Sequence, residues 1–191
     1  MNLTHLQNEA FKYMKSGNNV FLTGQAGTGK TYLLNIFIDW YNKNNTTNTT
    51  NTTNTTNTNK KQELFITSTT GLSALLVNGI TINRFAGIGL ADKDLDYYLT
   101  KIIKVPKTKS RWLMTKVLII DEISMMNPDT FDLLNNLAKR VRKCDAPFGG
   151  IQLILSGDFC QLPPVKSNDF CFESFSWDEC ITKTFYFRFY S

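Results

Sequence analysis

Of the side chains that most often build metal centres and disulfide frameworks, this sequence has few: one histidine, His5, and four cysteines, Cys144, Cys160, Cys171 and Cys180. The cysteines form no Cys-x-x-Cys pair and His5 lies far from all of them in the chain. Neither a zinc site nor a disulfide scaffold has the spacing it needs, and packed, reduced thiols are expected. Also missing is any run near the roughly eighteen apolar residues of a membrane span. Met1-Asn2-Leu3-Thr4-His5 has neither the basic region nor the apolar core of a signal peptide. These absences predict a soluble, intracellular protein with no membrane partner. Charge is not extreme: a net +5 and a pI near 9.0 are compatible with nucleic acid and equally with an ordinary soluble surface. With 191 residues the chain can hold one complete domain with decoration but not two.

What is present begins with glycine in one place. Gly24-Gln25-Ala26-Gly27-Thr28-Gly29-Lys30-Thr31 follows the apolar run Val20-Phe21-Leu22 and precedes the helix-like Tyr32 to Ile38. Strand, glycine-rich loop, then helix is the context of a phosphate-binding P-loop, whose backbone N–H groups curl around an anion at the positive end of the helix. In that arrangement Lys30 reaches the outer phosphates and Thr31 ligates Mg²⁺, so a nucleoside triphosphate is the expected ligand. Val117-Leu118-Ile119-Ile120 then reads as a buried strand ending in Asp121-Glu122. That spacing sets Asp121 on the metal and Glu122 beside an attacking water. An acidic pair can also merely cap a following helix, but capping does not explain its company with a P-loop.

Apolar periodicity predicts an α/β fold with strands alternating with helices, a P-loop domain whose mainly parallel sheet is flanked by helices. Thr4 to Lys15 reads as an amphipathic helix, Val20 starts a strand, and the helix after the P-loop runs to about Tyr41. Residues 44–59 contain only Asn and Thr and are expected to be a disordered surface insertion. Next come a strand at Leu64-Phe65-Ile66, a short helix from Gly71 to Val77, a turn at Asn78-Gly79 and a helix from Leu95 to Ile103. Asn127 supplies an N-cap and Pro128 a first helical position, with Phe131, Leu134, Leu137, Ala138 and Val141 on one face. A last apolar strand, Ile151 to Leu155, delivers Ser156-Gly157-Asp158 to the edge where the other motifs collect.

Three further segments carry a resemblance. They are Thr67-Ser68-Thr69-Thr70-Gly71-Leu72-Ser73-Ala74-Leu75-Leu76 through Thr81-Ile82-Asn83-Arg84-Phe85-Ala86-Gly87, then Asp121-Glu122-Ile123-Ser124-Met125, and Gly157-Asp158-Phe159-Cys160-Gln161-Leu162-Pro163-Pro164-Val165. With the P-loop, and over about Leu3 to Trp177, the chain resembles the PIF-one family of superfamily-one DNA helicases. The resemblance implies a motor that hydrolyses Mg·ATP to move five-prime to three-prime on single-stranded DNA, in DNA repair, recombination or replication. It implies that Gly27, Thr28, Gly29 and Lys30 form the phosphate cradle, Thr31 and Asp121 the Mg²⁺ site, Glu122 the general base and Gln161 a polar γ-phosphate sensor. Gln7 matches the family's adenine-reading glutamine, while Thr4-x-x-Gln7 is equally a helix capping box. Thr69, Thr70, Asn83, Arg84 and Phe85 match its single-stranded DNA surface, with Asn83 standing where the family has histidine; Phe85 reads equally as core. Lys101, Lys104, Lys107, Lys109 and Arg111 form a basic stretch that fits a DNA backbone or a solvated loop.

The family closes ATP between two RecA-like domains, the second supplying arginines. The expected organisation here is one such domain over residues 1–183, with residues 184–191 the truncated start of a crossover in which Phe189 replaces a glutamine and Arg188 is the nearest arginine. Because an arginine finger contributes roughly 10³–10⁵ in rate, a partner chain supplying a second domain is expected for full turnover. Two other classes remain open on the residues. A non-catalytic ATP- or DNA-binding module, or a decaying helicase fragment, is disfavoured by the intact Glu122. A P-loop kinase is disfavoured because a Gly-Asp-x-x-Gln segment replaces the acceptor lid.

Overall fold

The structure, a computed structural model, describes residues 3–46, 63–161 and 169–188. Its centre is a sheet of six strands, all parallel: β1 (Val20–Gly24), β2 (Leu64–Ser68), β3 (Ile80–Thr81), β4 (Val117–Asp121), β5 (Gln152–Gly157) and β6 (Lys183–Phe187), in the order β3-β2-β4-β5-β1-β6. The central strands β1 and β4 are buried along their whole length, which is why they read as continuous apolar runs rather than alternating ones. Their side chains still divide by parity between two cores. Val20, Leu22, Val117, Ile119 and Ile154 face one core, with Ala10 and Met14 of α1 (His5–Lys15) and Leu33, Leu34 and Phe37 of α2 (Lys30–Thr46). Phe21, Leu118, Ile120, Leu153 and Leu155 face the other.

That second core is closed by α4 (Ile82–Ala86), α5 (Leu95–Lys104), α6 (Pro106–Met114), α7 (Pro128–Arg142) and α8 (Trp177–Cys180), while α3 (Gly71–Leu76) follows β2. Local chemistry sets the helix ends. Thr4 and Gln7 form a reciprocal capping box at the start of α1. Asn127 Oδ1 accepts from Thr130 N at 2.8 Å ahead of Pro128, and Phe131, Leu134, Leu137, Ala138 and Val141 are buried on the face that their spacing foretells. Cys171 and Cys180 are buried, and burial pushes the Cys180 thiol up to about 12. Cys160 is exposed, so dense packing holds for only part of the cysteine set.

Three boundaries differ from the expected ones. Helix α2 continues past Tyr41 to Thr46, and within its last turns the side-chain amides of Asn44 and Asn45 donate back to Trp40 O and Tyr41 O at 2.8 and 2.9 Å. The first three residues of the Asn/Thr segment are therefore helical, and residues 47–59 lie outside the described residues. The basic stretch is two helices, α5 and α6, the second opened by Pro106 and anchored by the buried Trp112, whose indole donates to Ala86 O at 3.2 Å. Lys183 to Phe187 is a strand of the same sheet, paired in parallel along β1, so the boundary expected at residue 184 falls inside β6. The alternation of buried Phe185 and Phe187 with exposed Tyr186 is the period of a half-buried strand.

Candidate functional site

Strands β1, β4 and β5 run in parallel, so the segments that follow them emerge at one edge of the sheet. After β1 the loop Gly24 to Gly29 folds on itself: Thr28 Oγ1 donates to Gln25 O at 2.8 Å, and Lys30 Nζ turns back to Gly24 O at 2.5 Å and Gln25 O at 3.0 Å. A cation thus lies against the loop that an anion would occupy, at the first turn of the seventeen-residue α2. Gln25, Ala26 and Gly27 are exposed, as is Thr31 at the start of α2. Gly29 sits at φ +89°, and a Cβ there would come within 2.5 Å of Gln7 Nε2. Gln7 is buried and bridges two elements: Oε1 accepts from Thr4 N at 2.9 Å, and Nε2 donates to Thr28 O at 3.2 Å. The capping box and the contact with the loop coexist. A pocket of about 170 Å³ opens here between Thr4, Gln7, Thr28, Tyr186 and Arg188.

After β4, Asp121 is buried and Glu122 half-buried. Glu122 takes the left-handed conformation, φ 54° and ψ 40°, which is uncommon for a residue with a side chain. Burial first, then the neighbouring Asp121 and Asp158, raise its carboxyl above the usual carboxylate range, while Lys30 opposes the shift. After β5, Gly157 permits close approach: a Cβ there would lie 3.1 Å from Ile123 N. The buried Asp158 then organises the turn, accepting from Cys160 N at 3.0 Å and from Gln161 Nε2 at 3.1 Å. Gln161 is exposed and shares a pocket of about 210 Å³ with Glu122, Thr70 and Ser73. Residues 162–165 of that motif lie outside the described residues.

The nucleic-acid residues expected from the sequence divide. Thr69 Oγ1 donates to Glu122 O at 2.9 Å, and Thr70 caps α3 by accepting from Ser73 N at 3.2 Å, so both hydroxyls have work inside the fold. Asn83 Nδ2 donates to Gly89 O at 2.6 Å, and Arg84 is exposed beside it. Together with Lys101, Val105 and Thr108 they line a basic pocket of about 510 Å³. Phe85 must be corrected. It is fully buried, its ring centroid 5.2 Å from that of Phe65 and 5.1 Å from that of Trp112, and offers no face to a base. Arg111 likewise turns inward, donating to Arg84 O at 2.6 Å and Phe85 O at 2.7 Å. Sequence reasoning missed Tyr186 as a pocket residue. Its exposed ring lies under the Arg188 guanidinium, 5.0 Å away, beside Gln7; the only signal was the Phe-Tyr-Phe alternation.

The sequence profile of the PIF1-like helicases matches residues 2–186. The chain is 42% identical over 177 residues to the ATP-dependent DNA helicase RRM3 of Saccharomyces cerevisiae, a match covering 90% of this chain and 22% of that protein. It is 39% identical over 180 residues to the ATP-dependent DNA helicase PIF1 of Emericella nidulans, with the same 90% and 22% coverage. In structure it resembles the crystal structure of Pif1 helicase from Candida albicans, with a TM-score of 0.87 and 38% identity, over 100% of this chain and 40% of that one. It also resembles Pif1 helicase from Bacteroides in complex with ADP-AlF3 and ssDNA, with a TM-score of 0.72 and 26% identity, over 99% and 43% of the two chains. The chain therefore spans 22% of the length of these two curated relatives.

Proposed function

The chain belongs to the PIF1-like helicase family, and from that premise we propose that it is the nucleotide-binding motor domain of an ATP-dependent DNA helicase, coupling ATP hydrolysis to five-prime to three-prime movement on single-stranded DNA. The observation that carries this reading is the convergence of the Lys30 loop, Asp121-Glu122 and the Asp158–Gln161 turn on one sheet edge. The loop amides and Lys30 bind the phosphates. Lys30 leaves Gly24 O and Gln25 O as the phosphates arrive, since a charged oxygen is the stronger partner. Gln161, steered by its bond to Asp158, orients the polar end of the nucleotide. Glu122, with its raised carboxyl pKa, takes a proton from the attacking water.

The donor set suits Mg²⁺. Thr31 and Asp121 offer hard oxygens, and the charges of Asp121 and Asp158 reach Glu122, where Lys30 opposes them. Thr31 and Asp121 would hold the ion, which when bound neutralises charge on the phosphates. The pocket beside Gln7 fits the nucleobase, with the Gln7 amide at its rim and the Tyr186 ring as a stacking surface. Thr70, Asn83 and Arg84 form the face toward single-stranded DNA, in which phosphate contacts position the strand. Arg188 lies at the nucleobase pocket, so the arginines that neutralise the transition state come from a second RecA-like unit.

The test is ATP turnover by the purified chain with and without single-stranded DNA. Turnover rises with DNA. Lys30→Ala weakens Mg·ATP binding by roughly 10–100-fold, the value of a charged hydrogen bond, and Glu122→Gln lowers kcat by about 10²–10⁴ with binding retained. Tight ATP binding with no turnover at any DNA concentration, even with a second RecA-like domain added, would sink the motor reading.

A further inference from the structure

The general base sits on a backbone conformation that its own sequence does not favour. Asp121-Glu122-Ile123 contains no glycine, yet Glu122 lies at φ 54° and ψ 40°. A left-handed residue with a side chain persists only where its surroundings fix it. Two groups grip its carbonyl oxygen. Met125 N donates to it at 3.1 Å, closing the 3-10 turn Ile123–Met125, and Thr69 Oγ1 donates to it at 2.9 Å. The turn bond is local and moves with Glu122. Thr69 belongs to another element, the first residue beyond β2, and is the contact that refers Glu122 to the sheet.

The preceding pair repeats the arrangement. Ser68 is in register with Asp121 across β2 and β4, and Ser68 Oγ donates to Asp121 O at 3.1 Å. Ser68 and Thr69 thus hold the carbonyls of Asp121 and Glu122 in order. The Ser68 hydroxyl continues the chain into α3: its Oγ lies 2.7 Å from Ser73 Oγ, from which it can accept, and Ser73 Oγ lies 2.5 Å from Thr70 Oγ1. Thr70 caps α3 and lines the pocket that contains Glu122 and Gln161.

We propose that Thr69 is the positioning residue of the general base: its hydroxyl locks Glu122 in the left-handed conformation that aims the carboxylate at the nucleotide pocket. This deepens the hydrolase reading and rests on it for the consequence to rate, but not for the effect on Glu122 itself. Valine has nearly the shape of threonine without the donor, whereas serine keeps the donor and loses a methyl group. Thr69→Val therefore lets Glu122 relax toward right-handed or extended backbone, and Thr69→Ser keeps it in place.

The experiment uses the whole chain and two readouts. The first is the Glu122 Cα and Cβ chemical shifts and the HN–Hα coupling, which report its backbone angles without any turnover. The second is the kcat and KM for Mg·ATP in the presence of single-stranded oligo-dT. Thr69→Val is expected to move the Glu122 shifts off the left-handed values and to lower kcat by roughly 10–100-fold, the scale for a misplaced catalytic group. KM stays within about twofold because Thr69 touches no part of the phosphate loop. Thr69→Ser restores both readouts. Unchanged Glu122 shifts in a folded Thr69→Val chain overturn the proposal, as does an equal loss in the serine and valine variants. If the wild-type chain shows no turnover even with a second RecA-like domain added, but its Glu122 shifts respond as described, the positioning role stands and the hydrolase reading falls. Wild-type turnover left untouched by Thr69→Val does the opposite: the hydrolase reading stands and the positioning role falls.

Discussion

At the scale of single residues the site combines function with local cost. The Glu122 carboxyl is raised by burial and by Asp121 and Asp158, so the folded chain holds its proton more tightly than the unfolded chain does. The sign follows. Stability is unaffected by this group at pH values below the ordinary carboxylate pKa, falls as pH rises from there through the raised folded value, and stays reduced above it. Glu122→Gln removes the penalty. Free of nucleotide and Mg²⁺, the variant should unfold at a higher urea concentration than the wild type at pH 7–8, and the gap should close as pH drops through the carboxylate range. A gap independent of pH would show that the glutamate carries no such burden. The P-loop and the acidic pair were legible because each needs specific residue types at fixed spacing. The left-handed twist at Glu122 was not, because a sequence records no φ and one of the two groups on its carbonyl, the Thr69 hydroxyl, lies 53 positions away.

Among the elements, α4 and α6 show where resemblance and packing part. Asn83, Arg84 and Phe85 are consecutive, but one helical turn points them in different directions: Arg84 outward, Phe85 into the core against Phe65 and Trp112. Phe85→Ala should cost about 3–5 kcal/mol of stability. Below its unfolding temperature it should leave affinity for single-stranded DNA close to that of the wild type. A variant that folds normally but loses DNA would restore Phe85 to the binding surface. The strands β1, β2, β4 and β5 and the helices α1 and α7 were readable from apolar runs, capping residues and period. Helix α6 was hidden because Trp112 is its one fully buried large side chain, too little for a periodic stripe. Strand β6 was hidden because the resemblance makes its Phe-Tyr-Phe alternation look like a crossover, and that masks its period.

For the molecule as a whole, β6 is structural closure as much as connection. It covers the outer side of β1, the strand that carries the phosphate loop, and sets Phe185 and Phe187 into the core beneath α1 and α2. Deleting residues 183–188 removes two buried aromatics worth roughly 3–5 kcal/mol each, comparable with the 5–15 kcal/mol that holds a typical domain together. The shortened chain is expected to be unfolded by circular dichroism and unable to bind Mg·ATP; a cooperative unfolding transition near that of the full chain would contradict this. The pairing of β1 has a further meaning in time. Residues 20–24 leave the ribosome well before their two neighbours in the sheet, residues 152–157 and 183–187, which lie far downstream in the sequence. Until those strands emerge, the loop after β1 hangs from an unpaired apolar strand, and the nascent chain stays exposed there to chaperones and to other nascent chains.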